Sequence, residues 1–134
     1  MGRRYVTRAV GTSTGSVYYT GLTFNFGIST RNNKTKWLDV PSGSATTLTG
    51  HRVPVSELRL IAISVQTQNL CDATFHIRKN GGTTDITTIV LSSQSGKSRS
   101  VDVAVNIDDW LTCWMEVHSG NVDHPNVNLV LSRV

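Results

Sequence analysis

Val101-Asp102-Val103-Ala104-Val105-Asn106-Ile107 decides the fold. Valine or isoleucine stands at every second position, with Asp102, Ala104 and Asn106 between them. A two-residue period puts the β-branched side chains on one face of an extended strand, and no helical stripe has that spacing. Asp108-Asp109 follows as a turn, because short polar side chains hydrogen-bond their own backbone. Residues 110–118 then alternate again, with Leu111, Cys113, Met115 and Val117 on one face and Trp110, Thr112, Trp114 and Glu116 on the other.

Outward from this pair, the same period recurs. Residues 74–79 place Phe75 and Ile77 on one side, His76 and Arg78 on the other. Asn80-Gly81-Gly82 is a tight-turn signal, since Asn and Gly tolerate positive φ. Residues 86–91 return from it, so 74–91 reads as a hairpin. Residues 92–100, polar and carrying Gly96, read as a loop. Residues 58–65 are apolar on both parities, with Leu58, Leu60 and Ala62 on one and Ile61, Ile63 and Val65 on the other. Such a run suits a central strand buried on both faces. Residues 17–26 form a half-buried strand through Leu22, Phe24 and Phe26, and 36–40 a short one stopped by Pro41-Ser42-Gly43. Residues 119–126 are a loop with Gly120 and Pro125, and 127–134 are the last strand. Seven or eight strands so spaced predict an all-β protein, an antiparallel β-sandwich of jelly-roll-like form.

The length of 134 residues fits one domain. The pattern divides it into a basic N-terminal arm, residues 1–15, and a single sandwich domain, residues 16–134. Only 16% of the residues are charged, with Thr, Ser, Asn and Gly in their place. The formal net charge of +4 is unevenly distributed. Through Lys36 there are six basic residues and no acidic one; from Trp37 on, seven basic and nine acidic, a balance of −2. No run of about 18 apolar residues exists, so no transmembrane helix and no membrane partner is expected. Met1-Gly2-Arg3-Arg4 has no apolar run behind it and does not read as a secretory signal. Cys71 and Cys113 lie among apolar residues and read as buried free thiols, with a single bridge between them as the alternative.

No catalytic constellation emerges. There is no G-x-S-x-G elbow, P-loop or dinucleotide fingerprint, and adjacent Asp108 and Asp109 point apart on a turn. The expectation is a protein that is not an enzyme and needs no cofactor. His118, Asp123 and His124 flank one loop and form a candidate ligand loop, read as solvated residues rather than as a metal site. The pI near 9.4 raises nucleic acid as a partner. Arg3, Arg4 and Arg8 interleave only Tyr5, too few rings for a single-strand stacking platform. The arm Arg3, Arg4, Tyr5 and Arg8 instead reads as a device for docking on an acidic protein surface. Trp110 and Trp114 share a strand face, Trp37 reads as separate, and Tyr18 adds a ring to the first strand. Trp110, Trp114 and Tyr18 are candidate interface aromatics, because rings bury much area while keeping a polar handle; the plainer reading of the Trp face is a second core layer of the sandwich.

Residues 58–134 resemble the β-sandwich modules of bacteriophage virion proteins, found in capsid decoration proteins, head fibres and tail-fibre tips. Three stretches carry the resemblance: Glu57-Leu58-Arg59-Leu60-Ile61-Ala62-Ile63-Ser64-Val65, Phe75-His76-Ile77-Arg78-Lys79-Asn80-Gly81, and Val101 through Leu111. Such modules commonly carry Gly-Asp at the last turn, where this chain has Asp108-Asp109. The resemblance implies a virion location and a structural role: capsid cement or decoration, or a short head or tail fibre. It also implies a homo-oligomer, a trimer by analogy with tumour-necrosis-factor-like heads, docked on the major capsid protein or other virion proteins. The alternative is a receptor-binding fibre tip that takes host-surface glycan in loops 92–100 and 119–126, with a Trp for stacking.

Overall fold

The computed structural model describes residues 21–41, 43 and 50–133. Among the described residues there are nine strands and no helix: β1 (Leu22–Gly27), β2 (Arg31–Asn32), β3 (Lys36–Trp37), β4 (His51–Arg52), β5 (Leu58–Lys79), β6 (Asp85–Val105), β7 (Trp110–Ser119), β8 (Val122–Asp123) and β9 (Asn126–Arg133). Every pairing is antiparallel. The predicted all-β antiparallel sandwich is therefore the fold, as a sheet curled into a half-barrel. The arm, residues 1–15, lies outside the described residues.

One strand organises the curl. β5 runs for 22 residues and joins segments that the sequence suggests are separate strands. Its first part, Leu58 to Gln66, pairs with β9, which pairs in turn with β1. Its second part, Asp72 to Lys79, pairs with β7, which carries β3 and β4 on its far side. Between them Gln66 faces Gly96 and Cys71 faces Gln94, so residues 67–70 of β5 stand opposite the single residue Ser95. Extra residues on one strand bend it and sharpen the local twist. Buried Thr67 holds the bend, with Oγ1 2.7 Å from the Asn69 carbonyl and 3.3 Å from that of Ser95.

Residues 92–100 are not a loop. They are the middle of β6, which continues to Val105 along the whole of β5. Their polarity comes from position: β6 pairs only with β5, so this stretch is a sheet edge with both faces near water. Arg99 faces Ile63 across the ladder and donates to Thr87 Oγ1 at 2.7 Å, a charged edge of the kind that discourages further strand addition. Residues 58–65 are likewise not buried on both faces. The register against β9 slips between Leu60 and Ala62. The slip turns Leu58 and Leu60, then Ile63 and Val65, into one core and leaves Ile61 39% exposed. The loop at 119–126 also contains β8, paired with β2.

The inner faces behave as the period predicts. Phe24, Phe26, Leu60, Ile63, Phe75, Ile77, Leu111, Met115, Leu129 and Leu131 fill the core. Burying each such side chain stabilises the fold by about 1.5–3 kcal/mol. The Asn80-Gly81 turn forms with φ of 57° and 72° and a Gly82 N–H to Lys79 carbonyl bond of 3.0 Å, closing the predicted hairpin. The turn after β6 is tied to it. Asp109 accepts from Asn80 Nδ2 and from the Asn106 N–H, each at 2.8 Å, with Lys79 Nζ 3.7 Å away. Burial alone pushes the Asp109 carboxyl up, but the bonds from Asn80 and Asn106 outweigh it and hold it below its ordinary range. Gly50 passes flat against β7, where a Cβ would stand 2.2 Å from the Leu111 carbonyl oxygen. His51 links the two ends of the curl, stacked on Phe24 at 4.6 Å and donating from Nε2 to the Asn25 carbonyl at 2.7 Å.

Candidate functional site

Each end of β5 presents a different outer face. On the β7 side the face is aromatic and ionic. The ladder places Trp114 between His76 of β5 and Trp37 of β3. The Trp37 and Trp114 rings meet edge-on with centroids 4.8 Å apart. Arg78 lies over Trp37 at 6.0 Å and Arg52 over Trp110 at 5.1 Å, within cation–π range. Each His76 ring nitrogen meets a carboxylate: Nδ1 lies 2.6 Å from Asp85 and Nε2 2.9 Å from Glu116. Arg78 Nε donates to the second Asp85 oxygen at 2.9 Å. Burial works to raise the Asp85 carboxyl, yet the bonds from His76 and Arg78 prevail and hold it below its ordinary range.

On the β9 side the face is led by amides and hydroxyls, with the ion pair Arg59–Asp102 beyond them at the Arg59–Ser132 rung. Asn25 Nδ2 donates to Asn126 Oδ1 at 2.8 Å and to Asn128 Oδ1 at 3.0 Å, and Asn128 Nδ2 lies 3.3 Å from Asn126 Oδ1. Ser64 stands beside Asn128 in the ladder, with Ser98 Oγ donating to its hydroxyl at 3.1 Å. Where β5 bends, this face deepens into a cleft of about 680 Å³ between β1, the lead into β9 and the strap 39–41.

Of the predicted site residues, Trp110 and Trp114 do share a face. It is the outer, half-buried face and not a second core layer. Trp37 is not separate, because β3 pairs directly with β7 and sets its ring on Trp114. Arg3, Arg4, Tyr5, Arg8 and Tyr18 lie outside the described residues. His118, Asp123 and His124 each have local business. His118 Nε2 lies 2.7 Å from Thr74 Oγ1. Asp123 receives Arg31 at 2.7 and 3.1 Å, clasping β2 to β8. His124 takes a φ of 48° and donates its N–H to the Thr30 carbonyl. Among the described residues no group of three or more His, Cys, Asp or Glu side chains is placed to hold a metal ion. Cys71 and Cys113 are free and buried, and burial pushes both thiols up.

Sequence reasoning missed the partners of His76 and the Asn25–Asn126–Asn128 set. Asp85 was within reach, because the Asn80-Gly81 turn returns β6 beside β5. Glu116 is 40 residues from His76, and Asn126 is 101 from Asn25, so no local signal joins them.

The fold is an antiparallel β-sandwich of jelly-roll-like form, and in that fold the protein is similar to viral capsid and vertex structures. The chain is similar to the PRD1 vertex protein P5, with a TM-score of 0.58 and 14% identity over 89% of this chain and 99% of that one. It is also similar to a chain in the acid-stable capsid of Helicobacter pylori bacteriophage KHP30, at 0.53 and 11% identity over 87% and 90%. The C-terminal CBM6 of LamC, a marine laminarinase from Zobellia galactanivorans, matches at 0.47 and 14% identity over 80% and 98%. At these identities the likeness is one of fold. No family model matches the chain, and no curated protein matches it in sequence.

Proposed function

We propose that this protein is a non-enzymatic structural component of a virion: a capsid cement or decoration protein, or a short head or tail fibre. The observation that carries the reading is the shared architecture with the PRD1 vertex protein P5, which extends over nearly all of both chains. In this reading the sandwich assembles as a homotrimer. The half-buried rings of Trp37, Trp110 and Trp114 supply the apolar area that an oligomer interface needs. The basic arm with Arg3, Arg4, Tyr5 and Arg8 docks on neighbouring virion proteins. Contacts repeated by symmetry add avidity without one strong site.

The test is light scattering of the purified chain, with sedimentation alongside particles that lack it. A trimer mass is expected, with particle binding that weakens with salt and is lost when Arg3, Arg4 and Arg8 are all changed to Ala. A monomer that does not sediment with such particles overturns the proposal.

A further inference from the structure

We propose that the cleft at the bend of β5 is a binding site for an uncharged carbohydrate. The inference stands on the cleft alone and holds whether or not the protein belongs to a virion.

The cleft has the volume for a few sugar units, about 680 Å³, inside the range usual for small-ligand sites. Its polar lining is rich in side-chain amides: Asn25 on β1, Asn126 and Asn128 on β9, Gln66 beside Asn126 in the ladder and Gln68 on the bend of β5, together with Ser29, Thr67 and His124. No Lys or Arg lines it, and Asp39 is its single carboxylate. An anionic ligand would meet no Lys or Arg there, only the His124 imidazole and one carboxylate, so phosphate and sulfate groups are disfavoured. A purely apolar ligand would strand the amides without partners. Sugar hydroxyls fit, since each donates and accepts, and a carboxamide offers a donor and an acceptor side by side. Ile28, Val40, Pro41 and Pro125 add apolar surface for the C–H faces of a ring.

The site is built before any ligand arrives. The bonds from Asn25 to Asn126 and Asn128 fix the amides of one wall. The backbone behind them is pinned by Gly27 N–H to Asp39 carbonyl at 2.9 Å, Asp39 N–H to Gly27 carbonyl at 3.1 Å, and Ile28 N–H to Pro125 carbonyl at 3.1 Å. Side chains that are already ordered lose less freedom on binding. The Gln68 side of the cleft exists because β5 breaks register: residues 67–70 leave the ladder just past Gln66, and Gln68 reaches solvent there.

The experiment is a glycan array carrying neutral and anionic glycans, followed by titration calorimetry with the soluble neutral probes cellohexaose, maltohexaose and dextran and the anionic probes heparin and polysialic acid. Binding is expected to at least one neutral glycan on the array and to neither anionic probe. Changing Asn126 and Asn128 together to Ala weakens it about tenfold or more, the loss expected for two or more hydrogen bonds. Exposed Gln66→Ala weakens it from the neighbouring strand β5 and keeps the test intact if the double variant folds poorly. Trp114→Ala leaves it unchanged. Absence of neutral-glycan binding overturns the proposal, and so does binding that survives the amide changes but is lost in Trp114→Ala. The amide variants still sediment with particles, so failure here is distinguishable from failure of the virion reading.

Discussion

The outer faces at the two ends of β5 share a strand, a core and a ladder direction, and yet they are opposites. On the β7 end Trp37, Trp114, Arg78, His76, Asp85 and Glu116 interlock, each charge meeting a counter-charge or a ring. On the β9 end Asn25, Asn126 and Asn128 bond to one another and Ser64 bonds to Ser98, all uncharged, with the ion pair Arg59–Asp102 beyond them. Inside, the two ends are the same aliphatic and aromatic core. The contrast teaches that a sheet of this kind keeps its inner faces for folding and leaves its outer faces to differ. In the proposed functions the aromatic, ionic face serves protein contact and the amide-rich face takes an uncharged ligand.

The first way to break the comparison is from inside, where no difference between the ends is expected. Phe75→Ala at the aromatic end should cost about 3–5 kcal/mol and Leu129→Ala at the amide end about 2–5, measured by urea unfolding. A loss at only one end would mean that the halves unfold independently. Next in size is Asp109→Ala, which leaves Asn80 and the Asn106 N–H without their buried acceptor and should cost about 1.5–3 kcal/mol.

Acid sharpens the contrast further. Asp85 and Asp109 both ionise below their ordinary range in the folded chain. Their stabilising effect is therefore complete above the ordinary carboxylate value and is lost as pH falls through the lower, folded-state value. Changing both to Asn should narrow the stability gap to the parent steadily as pH falls below about 4, read as melting midpoints across pH. Asn25 and Asn128 have no ionisable group, so replacing them should leave the shape of that pH profile untouched. The smallest effect is at the amide face itself: Asn128→Ala should stay within about 0.5 kcal/mol of the parent. A cost above about 1.5 kcal/mol would make the Asn set a structural staple rather than a prepared surface.

Much of the frame was readable from residues in order. The alternation at 101–105 and 111–117, the Asn80-Gly81 turn and the outward His76 and Arg78 all stand where the period puts them. The misreadings share one cause. Residues 92–100 look like a loop because an edge strand with two wet faces has no apolar period to display. Residues 58–65 look buried on both sides because a register slip changes which parity faces in, and a slip is decided by the neighbouring strand. Trp37 looks separate because its partner Trp114 lies far along the chain and meets it only through the β3–β7 pairing.

The sequence by itself determined the strands, their inward residues and the tight turns, because these follow from backbone geometry over a few residues. Only the tertiary structure decided what the outer faces became. The bend in β5, the ring pair Trp37–Trp114, the His76 carboxylates and the Asn25–Asn126–Asn128 set all depend on which strands lie side by side. That choice is made by burying one shared core, and polar residues on the far side of the sheet take whatever neighbours it brings them.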